Sequence, residues 1–188
     1  MGRALSSQVS KLVALARDGD ADAFGELYSI YSKEMYRYAC SMVGNPDLAQ
    51  DAVQDAVMAA FKEIKSLRNA DSFKGWLFRI LNSACRRQYN LSTENLPLIE
   101  EADPGETDSG GIEQADMSMG LNEALEILTR EEKEIVMLRA VSEYGSKEIA
   151  EALGVPDATI RSKYKRALEK LRKFMAEKEG GGTYEKDE

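Results

Sequence analysis

Between Ser146 and Lys173 the chain reads SKEIAEALGVPDATIRSKYKRALEKLRK, two helical patterns separated by a short break. The first carries Ile149, Ala150 and Leu153 on one face, and Gly154-Val155-Pro156 turns the chain. Small Ala150 admits a close neighbour, and Gly154 supplies the backbone freedom that a reversal needs. Pro156 and Asp157 then open a longer helix, on which Ile160, Tyr164, Ala167, Leu168, Leu171 and Phe174 form the apolar stripe. Thr159, Arg161, Ser162, Lys165 and Arg166 fall toward the other side, and from Asp157 to Met175 seven Lys or Arg stand against two acids. A basic stripe by itself is usually a solvated surface. Joined through this tight turn to a short helix, it has the build of a helix-turn-helix whose second helix enters the major groove of DNA.

The formal net charge of −8 opposes DNA contact only if the acids are spread evenly. They are not: Gln88 to Thr129 holds ten Asp or Glu and no Lys or Arg, and the rest of the chain holds 23 acids and 25 basic residues. The acidity belongs to a connecting segment and leaves both flanks free to meet nucleic acid.

Composition also narrows the chemistry. The chain has no histidine, and its two cysteines, Cys40 and Cys85, are far apart in sequence. Neither a zinc site nor a disulfide framework is expected, and both thiols fit small core positions. Without histidine the commonest acid-base group is missing, and no phosphate loop, nucleophile elbow or metal-ligand cluster takes its place. Binding without catalysis, cofactor or metal is the expectation. No run reaches the roughly 18 apolar residues of a membrane span, and no signal peptide is evident, so a cytoplasmic protein is expected.

Helical periodicity dominates the remainder. Phe24, Leu27, Tyr28, Tyr31, Met35, Tyr38 and Met42 recur at helical spacing until Gly44-Asn45-Pro46 stops them. A helix from about Asp47 turns Ala49, Ala52, Val53, Ala56, Val57, Ala60, Phe61 and Ile64 inward, and another, about Ser72 to Tyr89, buries Phe73, Trp76, Leu77, Ile80, Leu81 and Ala84. A short helix near Val9 to Ala16 precedes them. After the acidic segment, Leu121 to Leu128 looks helical, and Thr129-Arg130-Glu131-Glu132 has the capping-box pattern that opens a helix through about Val141. With no strand-like alternation of useful length, the fold class is all-α. Two small helical domains are expected, a bundle at 7–90 and a helix-turn-helix domain at 119–177, joined by a flexible acidic linker at 91–118 and followed by a disordered tail at 178–188.

Two further surfaces stand out. Asp47, Asp51 and Asp55 recur every four residues, with Gln54 among them and Met58 beyond. Like charges at that spacing repel by roughly 0.2 to 0.5 kcal/mol per pair, partly offset near a helix N-terminus. The ridge suits a basic partner, and an ordinary solvated acidic face would look the same. The next helix carries Arg79, Asn82, Arg86, Arg87 and Tyr89 away from its apolar stripe, a mixture fit for phosphate and base contacts.

The run DAFGELYSIYSKEMYRYACSMVGNPDLAQDAVQDAVMAAFKEI, the loop after it, FKGWLFRILNSACRR and the C-terminal helix-turn-helix together resemble a bacterial extracytoplasmic-function sigma factor. The resemblance covers about Val9 to Phe174, in the family's order. It implies a promoter-specificity subunit that binds core RNA polymerase, through its beta-prime and beta subunits, and promoter DNA. It further implies an anti-sigma factor as partner. By matching position, Asp47, Asp51, Gln54, Asp55 and Met58 would dock on polymerase. Leu67, Arg68, Asn69, Ala70, Asp71 and Ser72 match the loop that captures a flipped minus-ten base, an event costing a few kcal/mol of stacking. Arg79, Asn82, Arg86 and Arg87 would face minus-ten DNA nearby, and Thr159, Arg161, Ser162, Lys165 and Arg166 the minus-35 element. The resemblance implies a linker that lies in the polymerase's basic channels, and a soluble spacer would read the same in sequence. Ser83 and Arg87 depart from frequent family residues, as do Ala158 and Tyr144-Gly145-Ser146, where a helix cap is expected. The competing reading is a helix-turn-helix regulator that binds duplex DNA without polymerase.

Overall fold

The computed structural model describes residues 2–94, 119–142 and 144–180, and every regular element among them is helical. The N-terminal unit comprises α1 (Gly2–Arg17), α2 (Ala21–Val43), α3 (Pro46–Glu63) and α4 (Phe73–Glu94), with short 3-10 turns at Ile64–Ser66 and Ala70–Ser72 between the last two. The C-terminal unit comprises α5 (Met119–Glu126), α6 (Arg130–Ser142), α7 (Ser146–Leu153) and α8 (Asp157–Gly180).

Local chemistry sets the helix boundaries. Asp20 caps α2 by accepting from the backbone N–H of Asp22 and Ala23 at 2.9 and 3.0 Å. Gly44 ends that helix in the left-handed region, φ 70°. Asn45 then accepts from the N–H of Asp47 and Leu48 at 2.9 and 3.0 Å, with Pro46 beginning α3. Each such cap is worth about 1 kcal/mol, so Gly44-Asn45-Pro46 closes one helix and starts the next without a longer loop.

The inward face of α3 is built of alanine. Ala49, Ala52, Ala56 and Ala60 are fully buried, which lets α3 lie close against α2 and α4. Larger side chains from those helices fill the core: Leu27, Met35 and Tyr38 from α2, and Phe73, Leu77, Phe78 and Leu81 from α4. Tyr38 and Phe78 meet edge to face, ring centres 5.5 Å apart. Three core expectations need correction. Phe61 is 46% exposed, lying edge-on to Phe24 at 5.1 Å, because the alanine stripe leaves it at the margin of the buried face. Val57 and Ile80 are half-buried. Phe78, absent from the expected stripe, is sealed because α4 is covered on two sides.

In the C-terminal unit the capping box forms in both directions. Thr129 Oγ1 accepts from the N–H of Glu132 at 3.3 Å, and the Glu132 carboxylate accepts from the N–H of Thr129 at 3.0 Å. At the start of α7 only half of such a box exists, since Gly145 has no side chain to return the bond its N–H donates to Glu148 Oε2 at 2.7 Å. Gly154, φ 67°, ends α7. Across the turn Ile149, Ile160 and Ala167 are buried, while Tyr164, Leu168, Leu171 and Phe174 are half-buried.

The helices outrun the expected domain edges, α4 reaching Glu94 and α8 reaching Gly180. The rest of the acidic linker, 95–118, and of the tail, 181–188, lie outside the described residues. The two units meet where α6 packs against α4.

Candidate functional site

The acidic ridge stands open on α3. Asp47, Asp51, Gln54, Asp55 and Met58 are all exposed, and Met58, at 53%, sets an apolar group beside the carboxylates. Asp55 is not a lone charge: its Oδ2 pairs with Arg87 at 3.3 Å and accepts from Gln88 Nε2 at 3.2 Å. That pair ties the ridge to the basic helix.

Between them the loop is pinned toward its C-terminal end. Asn69 Oδ1 accepts from the N–H of Asp71 at 3.0 Å, and Asp71 accepts from Ser10 Oγ of α1 at 3.3 Å. Arg68, Asn69, Asp71 and Ser72 are exposed and Ala70 is half-buried. Leu67, expected among the base-capturing residues, is only 6% exposed and belongs to the core. Its apolar side chain anchors the loop beneath its polar rim.

On α4, Arg79, Arg86 and Arg87 are exposed. Asn82 is not, at 3%, so its expected placement on an open face is corrected. Its Oδ1 accepts from Tyr38 Oη at 2.8 Å, and its Nδ2 donates to Glu134 of α6. Glu134 is itself 4% exposed, with Arg86 Nε 3.7 Å from the same carboxylate. Asn82 follows Leu81 and lies four residues after Phe78, at the edge of the buried stripe, where polarity alone suggests solvent. Glu134 escapes sequence reasoning for the same reason. It precedes Ile135 and stands four residues before Leu138, and that spacing from two buried residues is the available signal.

On α8, Arg161, Ser162, Lys165 and Arg166 are exposed and Thr159 is half-buried, while Ile160 and Ala167 face inward. Arg161 pairs with Asp157 at 3.0 Å, and Ser162 Oγ donates to Thr159 O at 3.0 Å. Three other cations of α8 have structural work, Lys178 by pairing with Glu123 of α5. Lys163 pairs with Glu131, and Lys170 reaches Glu132 at 2.7 Å, clamping α8 to α6. Burial would raise the Glu132 carboxyl, but its hydrogen bonds from Lys170 and Thr129 hold it below its ordinary value.

Burial pushes Cys85 up to about 12 and raises the half-buried Cys40. Among the described residues no group of three or more Asp, Glu or Cys side chains is placed to hold a metal ion, and no helix is long and apolar enough to cross a membrane.

Residues 27–91 match the family model of sigma-70 region 2, and residues 118–171 that of sigma-70 region 4. The chain is 26% identical over 185 residues to the ECF RNA polymerase sigma factor SigW of Bacillus subtilis, covering 91% of this chain and 98% of SigW. It is 30% identical over 146 residues to the RNA polymerase sigma factor SigV of the same organism, covering 76% of this chain and 84% of SigV. The sigma factor RpoE from Bartonella quintana, solved in complex with the anti-sigma factor NepR, shares the fold with a TM-score of 0.56 at 23% identity, over 81% of this chain and 96% of that one. A region 2 followed by a region 4 defines the sigma-70 class. Within it, the chain belongs to the extracytoplasmic-function family of RNA polymerase sigma factors, proteins that act by binding and not by catalysis.

Proposed function

We propose that this sigma factor divides its work among three surfaces. The ridge of Asp47, Asp51, Gln54, Asp55 and Met58 docks on core polymerase. The loop Arg68 to Ser72, with Arg79, Arg86 and Arg87 of α4, engages the minus-ten element, and Thr159, Arg161, Ser162, Lys165 and Arg166 of α8 engage the minus-35 element. The observation that carries this reading is on α8, where four polar or cationic side chains stand exposed while Ile160 and Ala167 hold the opposite face in the core. A helix fixed in that way can present Arg to a guanine edge and Ser or Thr to either strand.

The ridge complements a basic partner, and Met58 with the half-covered Phe61 gives that partner apolar ground beside the charge. Since RpoE of Bartonella quintana was solved with an anti-sigma factor, an anti-sigma factor that competes for the same ground is the expected regulator here. Separating the steps tests the division. Asp51→Ala should weaken association with core polymerase, and Arg166→Ala should leave association intact while lowering promoter-dependent transcription. Failure of both variants at the same step would contradict the scheme.

A further inference from the structure

Asp157 opens α8 one turn before Arg161, and its carboxylate is turned along the helix toward that arginine. Oδ2 lies 3.0 Å from Arg161 Nη2. The other oxygen, Oδ1, is buried and accepts no hydrogen bond. The acid is therefore not spent on capping: Thr159 and Ile160 give their N–H groups to the Pro156 carbonyl, at 2.9 and 3.2 Å. The Arg161 side chain is 66% exposed and that of Asp157 only 29%, so the carboxylate is set into the helix start while the guanidinium stands out from it. A pair of this kind on an open helix face adds little to stability. The helix dipole favours an acid at this end whether or not an arginine follows. What the pair does fix is the direction of the guanidinium.

Resting on the assignment of α8 to the minus-35 element, we propose that Asp157 is a positioning residue for base recognition. It holds the Arg161 guanidinium in one orientation, so that the arginine meets a guanine edge already aligned and is kept from swinging to a phosphate. The N-terminal residues of a helix laid in the major groove are the ones that reach base edges. A guanidinium carries five N–H donors in a rigid fork. With one nitrogen paired to Asp157, the fork still has two donors to match N7 and O6 of guanine. An unrestrained arginine finds a partner in any phosphate, a contact that carries no sequence information, and binding a base costs it the ordering of a long side chain. The carboxylate meets part of that cost in advance and repels phosphate from the same place. Asp157 thus favours selectivity over affinity, the repulsive half of a specific contact.

The test uses holoenzyme reconstituted from core polymerase and the full chain, and a pool of duplex fragments in which the upstream element of a promoter that it transcribes is randomised. Sequencing of bound and free fragments gives the preference at each base pair for the wild type, Asp157→Ala, Asp157→Glu, Arg161→Ala and the double variant Asp157→Ala with Arg161→Ala. Arg161→Ala should abolish the preference at the base pair it reads. Asp157→Ala should lower the preference at that same base pair roughly two- to tenfold, while binding to the disfavoured fragments holds or rises. Asp157→Glu, which can still pair one turn along, should restore it, and the double variant should be no worse than Arg161→Ala. Asp157→Ala that weakens all fragments alike would make the acid a helix-starting residue only. A preference lost at a different base pair would make it a direct reader, and a preference that rises would mean that it withholds Arg161; each of these overturns the positioning role. Arg161→Ala that changes no preference would instead overturn the assignment of Arg161 to the minus-35 element, and the role of Asp157 with it.

Discussion

Tyr38 donates its phenolic hydrogen to Asn82 Oδ1 across 2.8 Å, and both side chains are all but sealed from solvent. Asn82 in turn donates to Glu134. A single amide therefore joins the core of the N-terminal bundle to the C-terminal unit. Burial drives the Tyr38 hydroxyl well above its ordinary range, so it remains a donor at any physiological pH.

Tyr38→Phe should lower stability by about 1 to 3 kcal/mol, since it leaves a buried amide oxygen without its donor while keeping the ring against Phe78. Urea unfolding checks this, with an unchanged slope expected because the buried surface hardly changes.

Gly154→Ala isolates a backbone effect. Nothing lies within 4 Å of the added methyl, but the residue sits at φ 67°. The left-handed conformation alone should cost about 1 kcal/mol, read in thermal unfolding, with the α8 surface chemically unaltered.

Asp55 separates stability from function. Its pairing with Arg87 is exposed on both sides, so Asp55→Ala should change unfolding free energy by less than about 1 kcal/mol. If the ridge docks on polymerase, the same variant weakens core association measured by fluorescence anisotropy. A large loss of stability would instead assign Asp55 to the fold.

Acid should loosen the clamp between α6 and α8. The Glu132 carboxyl is held below its ordinary value of 4.5 in the folded chain. Its contribution is therefore present above about 4.5 and is lost as pH falls through the depressed folded value. Glu132→Gln should flatten that part of the stability profile, followed by thermal melts from pH 6 down to about pH 3.

The helices, their caps and the turn at Gly154 follow from local signals, because each depends on a few adjacent side chains and a backbone preference. Thr129 announces its cap in this way. Leu67, Phe61 and Asn82 are harder to place, for their environments are set by residues distant in sequence. Asn82 is the clearest case: polar and at the edge of a stripe, it is buried only because Tyr38 and Glu134 come to it from other helices. The charges on α8 divide likewise, since nothing local distinguishes Lys163 and Lys170, which bind α6, from the exposed Arg166.

The most direct measurement is reconstituted transcription, with core polymerase and this chain on fragmented genomic DNA, comparing the wild type with Arg166→Ala. Transcripts should begin at discrete sites only when the chain is present. Where Arg166 contacts a base, the variant should lose about 1 to 3 kcal/mol of discrimination at the upstream element. Equal binding to free duplex DNA with and without polymerase, and no sigma-dependent start sites, would contradict the account.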